Sequence, residues 1–174
     1  MRLEKQRSGP KGPVTPPPKK SPPRVLVLGI GNPGRRDDGL GAAAVNRLEA
    51  MHIPGVSCDA NYQLNIEDAL ACARHDIVII VDAAAAARRP YSLIEIKAEA
   101  SYPPTSHSLG PAAVLSLCST LYGRTPEAHL LAIRGYDWEI GGGLSPRAEA
   151  NLGQAVEFVG RFITRKRVRK GGRM

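Results

Sequence analysis

The sequence predicts an α/β fold: a three-layer αβα sandwich built on a mostly parallel, twisted five-stranded sheet with one antiparallel strand. Three observations carry this. The runs Val25–Ile30 and Ile77–Val81 are short and apolar, with few polar positions, as strands buried on both faces must be. Segments of helical period, such as Leu40, Ala44/Val45 and Leu48, lie between the runs. The order of elements read along the chain is β-α-β-α-β-β-α-β-α, the alternation that builds a parallel sheet with helices on both faces.

Taken in order, Met1 to Pro23 is rich in Pro, Lys and Gly and has almost no apolar residues to bury, so it reads as a disordered basic tail of polyproline II character. The first strand, Val25–Ile30, runs into a Gly/Asn/Pro turn, Gly29 to Gly34. Two adjacent carboxylates, Asp37 and Asp38, then stand where a helix over about Asp38–Met51 begins. Asp37 either caps that helix, the favoured reading, or positions Asp38. His52-Ile-Pro-Gly55 stops the helix, and Val56–Ala60 is a second strand. Asn65 suits the N-cap of a helix over Ile66–Arg74, with Glu67 and Asp68 in its first turn.

The block Asp76 to Asp82 is a central strand that Asp82 ends. A carboxylate at the carboxyl end of a central strand is a site candidate, with capping of a turn as the plainer alternative. Tyr91–Lys97 alternates apolar and polar, as a strand with one exposed face near an edge does. The Arg88-Arg89-Pro90 connection is too short for a crossover helix, so this strand should run antiparallel to the one before it. After a Pro/Ser/Thr loop comes His107, just before a helix with Val114, Leu117, Cys118 and Leu121 on one face. His107 is the imidazole with the most site-like context, its alternative being a loop histidine with a local hydrogen bond. His52 and His75 read as surface, and His129 as packing or surface. The last strand is Glu127–Ile133. A loop carrying Trp138, the sole Trp, follows it as either a peptide-binding rim or local packing. Ser145 and Pro146 then supply an N-cap and first position for a helix whose core stripe is Ala148, Leu152, Ala155/Val156, Val159 and Ile163.

This gives one domain over residues 24–163, between a Pro/Lys-rich tail, 1–23, and a basic disordered tail, 164–174. The charge follows the same division. Residues 1–24 hold seven Lys/Arg against one Glu, and residues 161–174 hold seven Lys/Arg and no acid, so the segment between carries −5 of the total +8. Any affinity for nucleic acid would therefore belong to the tails. Three widely spaced cysteines form no zinc spacing and read as free thiols of a reducing compartment. No apolar run is long enough to span a membrane and the N-terminus lacks a signal-peptide core, so a cytoplasmic location is expected.

Gly29-x-Gly31-x-x-Gly34 matches a dinucleotide-binding pattern, but a pyrophosphate at that helix start would meet Asp37 and Asp38. Gly31-Asn-Pro-Gly34 resembles the opening of peptidyl-tRNA hydrolases. Those enzymes continue with Thr-Arg-His-Asn and its catalytic His, where this chain has Arg35-Arg-Asp-Asp38. Neither a His-Glu-x-x-His helix nor a Gly-x-Ser-x-Gly elbow is present.

Three motifs in order, Leu28-Gly-Ile-Gly-Asn32 with Asp37-Asp-Gly-x-Gly41, Val81-Asp-Ala83, and Ser106-His-x-Leu-Gly110, resemble the [NiFe]-hydrogenase maturation proteases. The Gln63-Leu64 segment and Leu144-Ser-Pro146 before the last helix are similar to that family too, so the resemblance covers about residues 24–163. It implies an endopeptidase that removes the C-terminal extension of a hydrogenase large-subunit precursor after nickel insertion. Asp38, Asp82 and His107 would be the catalytic set and the metal contacts. The nickel would be carried by the substrate, with no metal held tightly by the protein itself. An O,O,N set suits such a divalent ion and leaves positions open. The partner expected is the large-subunit precursor, met by a monomer with no membrane or nucleic acid involved. The other class left open is an RNA-associated hydrolase or binding protein of the peptidyl-tRNA hydrolase type, favoured by Gly-Asn-Pro-Gly and the basic tails alone.

Overall fold

The structure is a computed structural model that describes residues 21–98 and 109–171. The β-branched runs form strands as expected: β1 (Val25–Ile30), β2 (Val56–Asn61), β3 (Ile77–Ala84), β4 (Tyr91–Ile96) and β5 (Glu127–Arg134). They make one five-stranded sheet in the order β2-β1-β3-β5-β4. All neighbours pair in parallel except β4 with β5. β3 runs two residues past Asp82, so Asp82 lies inside the strand end rather than terminating it. β4 is the antiparallel edge strand, but β5 inserts between it and β3. A short connection fixes direction more firmly than it fixes the pairing partner, because a later strand can enter the gap.

The helices are α1 (Leu40–Ala50), α2 (Asp68–Ala73), α3 (Pro111–Tyr122) and α4 (Pro146–Gly171), with a single 3-10 turn, Arg36–Gly39, before α1. Strand side chains alternate between two cores. Odd-numbered residues of every strand but β2, including Val25, Val27, Ile77, Ile79 and Val81, pack on α1 and α4, as do the even-numbered Val56 and Cys58 of β2. Even-numbered residues, including Leu26, Leu28, Val78 and Ile80, pack on α2 and α3. These two cores are the layers of the expected αβα sandwich. Each fully buried Leu, Ile or Val contributes about 1.5–3 kcal/mol, so the central strands dominate stability.

Several local expectations change. Asn65 does not cap α2: its own N–H donates to the Asp68 carboxylate at 2.7 Å, and Asn61 Nδ2 donates to the same side chain at 3.0 Å. Asp68 is therefore the local organiser, buried at the helix start. On α3 the buried face carries Leu115, fully buried, with Val114 and Cys118, while Leu121 is exposed. The basic stretch from residue 164 is not a tail through Gly171, because α4 continues to that residue. Long-range partners hold it there. Lys166 pairs with Glu127, and Arg167 donates to the Pro23 carbonyl and, at 3.2 Å, to that of Gly55. The α4 stripe Ala148, Leu152, Ala155, Val156, Val159 and Ile163 is buried as read, and Pro146 opens the helix with the Ser145 hydroxyl accepting from Ala148 N–H. His129 is nearly buried, edge-on to Phe162 and bonded to Glu127. Among the described residues, Cys58, Cys72 and Cys118 are free, and no helix is long and apolar enough to cross a membrane.

Candidate active site at the carboxyl edge of the sheet

β1 and β3 are adjacent and parallel, and both deliver acids at their carboxyl ends. Gly29 pairs with Val81, which sets Asp82 beside the end of β1. The chain leaves β1 through Gly31, whose φ of 124° belongs to glycine. A Cβ there would stand 1.9 Å from the Asp38 carbonyl oxygen, so no other residue lets the turn close this tightly. On α1, a Cβ at Gly41 would meet the Ile30 carbonyl oxygen at 2.1 Å and that of Val81 at 2.8 Å. The two glycines thus press the helix start onto the strand ends and set Asp38 over the crevice between β1 and β3.

Asp38 is half-buried and accepts the Asn32 N–H at 3.0 Å. That amide is one a bound pyrophosphate would need, so the turn that matches a dinucleotide pattern is closed by its own carboxylate. Asp82 is also half-buried and accepts the Ala83 N–H at 2.8 Å. Burial pushes the Asp82 carboxyl above its ordinary range; the Ala83 bond opposes this, and the nearby charge of Asp38 adds to it. Two carboxylates that repel each other across a crevice, each holding a single hydrogen bond, form a site short of positive charge. Their oxygen donors fit a divalent cation, which would relieve the repulsion. Among the described residues, no group of three or more His, Cys, Asp or Glu is gathered as a complete metal site.

The third expected ligand, His107, lies outside the described residues. The structure therefore brings together Asp38 and Asp82 of the predicted set.

Asp37 has a role that neither sequence reading gave it. It is fully buried. Its carboxylate accepts from the backbone N–H groups of Tyr136 (2.7 Å), Asp137 (3.0 Å) and Ser145 (2.6 Å), and from the Ser145 hydroxyl (2.7 Å). Burial alone would raise its pKa, but the Ser145, Tyr136 and Asp137 donors outweigh burial and hold it below the usual range. It makes no capping bond to the 3-10 turn or to α1. Instead it ties the loop after β5 to the turn after β1. The backbone continues the tie: Arg36 N–H donates to Gly141 O, Asp37 N–H to Asp137 O, and Gly141 N–H to Gly34 O. Arg36 also pairs with Asp137, and an Arg35 guanidinium nitrogen donates to the Trp138 carbonyl at 3.2 Å. Trp138 is partly buried in this loop and packs on Gly135, while Ile140 beyond it is exposed. The only sequence signal for this junction was the Asp-Asp pair itself, because its partners lie about a hundred positions away.

No protein-family model and no curated protein matches the sequence. Solved structures do match. The hydrogenase maturating endopeptidase HybD from E. coli is 26% identical, with a TM-score of 0.65 over 86% of this chain and 94% of that one. An endopeptidase from Escherichia coli known by its solution structure is 28% identical, with a TM-score of 0.60 over 78% of this chain and 89% of that one. The [NiFe] hydrogenase maturation protease HycI from Thermococcus kodakarensis KOD1 shares the fold at 20% identity, with a TM-score of 0.64 over 81% and 92% of the two chains. The chain thus shares its fold with solved [NiFe] hydrogenase maturation proteases and is similar to them over about four fifths of its length.

Proposed function

We propose that the chain is an endopeptidase that removes the C-terminal extension of a [NiFe]-hydrogenase large-subunit precursor once nickel has been inserted. The observation that carries this is the Asp38–Asp82 pair: one carboxylate in the 3-10 turn that follows β1 and one at the end of the adjacent parallel β3, each with a single hydrogen bond and mutually repelling, in a fold shared with solved maturation endopeptidases.

On this reading the nickel belongs to the substrate and is the feature recognised. Asp38 and Asp82 present carboxylate oxygens to it, and His107 completes the set. The cation supplies polarisation of the scissile carbonyl or of an attacking water. Asp38 is held toward the crevice by the Asn32 amide, and Asp82 by the Ala83 amide. Requiring the metal ties cleavage to a loaded precursor, since without the cation the crevice holds only repelling acids.

The test is incubation of the purified protein with nickel-loaded and nickel-free precursor from the same cell, read by mass spectrometry. Loss of a C-terminal peptide from the loaded form alone, abolished in Asp38→Ala, is the expected result. An uncleaved loaded precursor, with the protein folded, would overturn the reading.

A further inference from the structure

The segment 25–160 is acidic overall, yet six of its ten Lys/Arg, Arg35, Arg36, Arg88, Arg89, Arg134 and Arg147, lie at the carboxyl edge of the sheet or in the loops leaving it. Four of them converge on one side of the crevice. Arg88 and Arg89 are exposed in the turn that follows Asp82. The next residue, Pro90, accepts the Arg134 N–H at 2.9 Å. Arg134 and Arg147 both stack on the ring of Tyr136, with guanidinium carbons 5.0 and 3.9 Å from its centroid. That ring is fixed by Asn151, whose Nδ2 bonds the phenol oxygen at 3.0 Å.

This cluster is electrostatically unbalanced. Among the described residues none of the four arginines has an acidic partner. Arg134 Nε is buried without an acceptor. Arg147 stands in the first turn of α4, where the helix dipole favours acids, and Glu149, the acid of that turn, is engaged by Arg47. Arg134 and Arg147 share a rigid aromatic platform beside the exposed Arg88 and Arg89, and like charges so gathered match carboxylates, which guanidinium groups bind in a two-pronged geometry. On the far side of the crevice the exposed side chains Asp59 and Glu67 have the opposite sign. A polyanion of uniform charge passing along the edge would run into Asp38 and Asp82. A peptide can offer acidic side chains to the arginines and neutral backbone to the carboxylate pair.

We propose that Arg88, Arg89, Arg134 and Arg147 form the docking site for an acidic segment of the precursor protein, holding it alongside the Asp38–Asp82 crevice. This rests on the reading that the chain cleaves such a precursor. Docking by charge at the rim acts on association, so it governs KM and salt dependence more than the chemical step.

The test compares full-length wild type with R88E/R89E/R147E and with R88K/R89K/R147K, changing exposed positions only, with R88E/R89E held as a second variant should the triple reversal not fold. With nickel-loaded precursor, the reversal is expected to raise KM on the order of 100-fold with kcat nearly unchanged, and to flatten the dependence of KM on salt. The Lys variant should stay near wild type. A fluorescent oligo-glutamate peptide should bind the wild type and lose most of that affinity in the reversal variants; the basic ends are the same in all of them. Unchanged KM and unchanged peptide binding in folded reversal variants would overturn the docking site while leaving the protease reading intact. An RNA oligonucleotide that outcompetes the peptide, and is itself lost in the reversal, would overturn the choice of a protein partner. If the wild type cleaves nothing but the peptide still distinguishes it from the reversal, the cationic site stands and the protease reading fails.

Discussion

Asp37 accepts from three backbone amides and a hydroxyl, whereas Asp38, the next residue, accepts from one amide and Asp82 from one. The first is fully buried with its pKa held down; Asp82 is half-buried with its pKa pushed up. Burial acts in the same direction on both, so the number of donors decides the outcome. An acid whose acceptor capacity is filled by its own fold stabilises that fold. An acid left nearly bare is free to take a ligand, at a cost in stability.

The largest expected break in this comparison is Asp38→Ala. On the proposed reading, removing this carboxylate should lower cleavage of nickel-loaded precursor on the order of 10³-fold, the loss of several kcal/mol of transition-state stabilisation, while the melting temperature changes little. Asp37→Ala should do the reverse in stability. It strands three amides and a hydroxyl, and unfolding in urea should show a loss of about 3–5 kcal/mol. Activity would fall through the loosened turn, with most of it regained at low temperature, where the variant is folded.

A third experiment turns on the sign of the two shifts. Because the folded state holds Asp37 ionised more firmly than the unfolded chain does, its stabilisation is present above the ordinary carboxylate range and is lost as pH falls through the lowered value. For Asp82 the folded state favours the protonated form, so its contribution is best below the ordinary range and worsens as pH rises through the raised value. Asp82→Asn, without nickel present, should therefore raise Tm by a few degrees at pH 7, with the gain vanishing below about pH 4. Equal Tm values for wild type and variant at pH 7 would show that Asp82 is not destabilised as an anion. The smallest effect is expected for Ser145→Ala. It removes one donor to Asp37 and the N-cap of α4, and should cost about 1 kcal/mol in a denaturant titration.

The strands were legible because β-branched runs such as Ile77–Val81 admit few other structures, and the α4 stripe because its period has a single buried solution. The nearness of Asp38 to Asp82 was legible because one follows the turn after β1 and the other lies at the end of the neighbouring β3, both in recognisable local patterns. What could not be read was set by partners distant in the chain. Asp37 looked like a cap because Ser145 and Tyr136 are invisible from its neighbourhood. Asn65 looked like a cap because a local pattern does not say which of two polar side chains turns inward, and Asp68 did. The residues beyond 163 looked like a solvated tail because their composition is basic; only the contacts of Lys166 and Arg167 with Glu127, Pro23 and Gly55 show why the helix continues.

That last contact bears on how the protein can be handled. Arg167 grips the chain at Pro23, just before β1 begins, so the entry to the first strand and the last turns of α4 sit together at the amino edge of the sheet. The carboxylate crevice opens at the other edge. The described chain therefore enters β1 and leaves α4 on the side facing away from the crevice. Packing at the Pro23–Arg167 junction can thus be changed without touching the groups around Asp38 and Asp82.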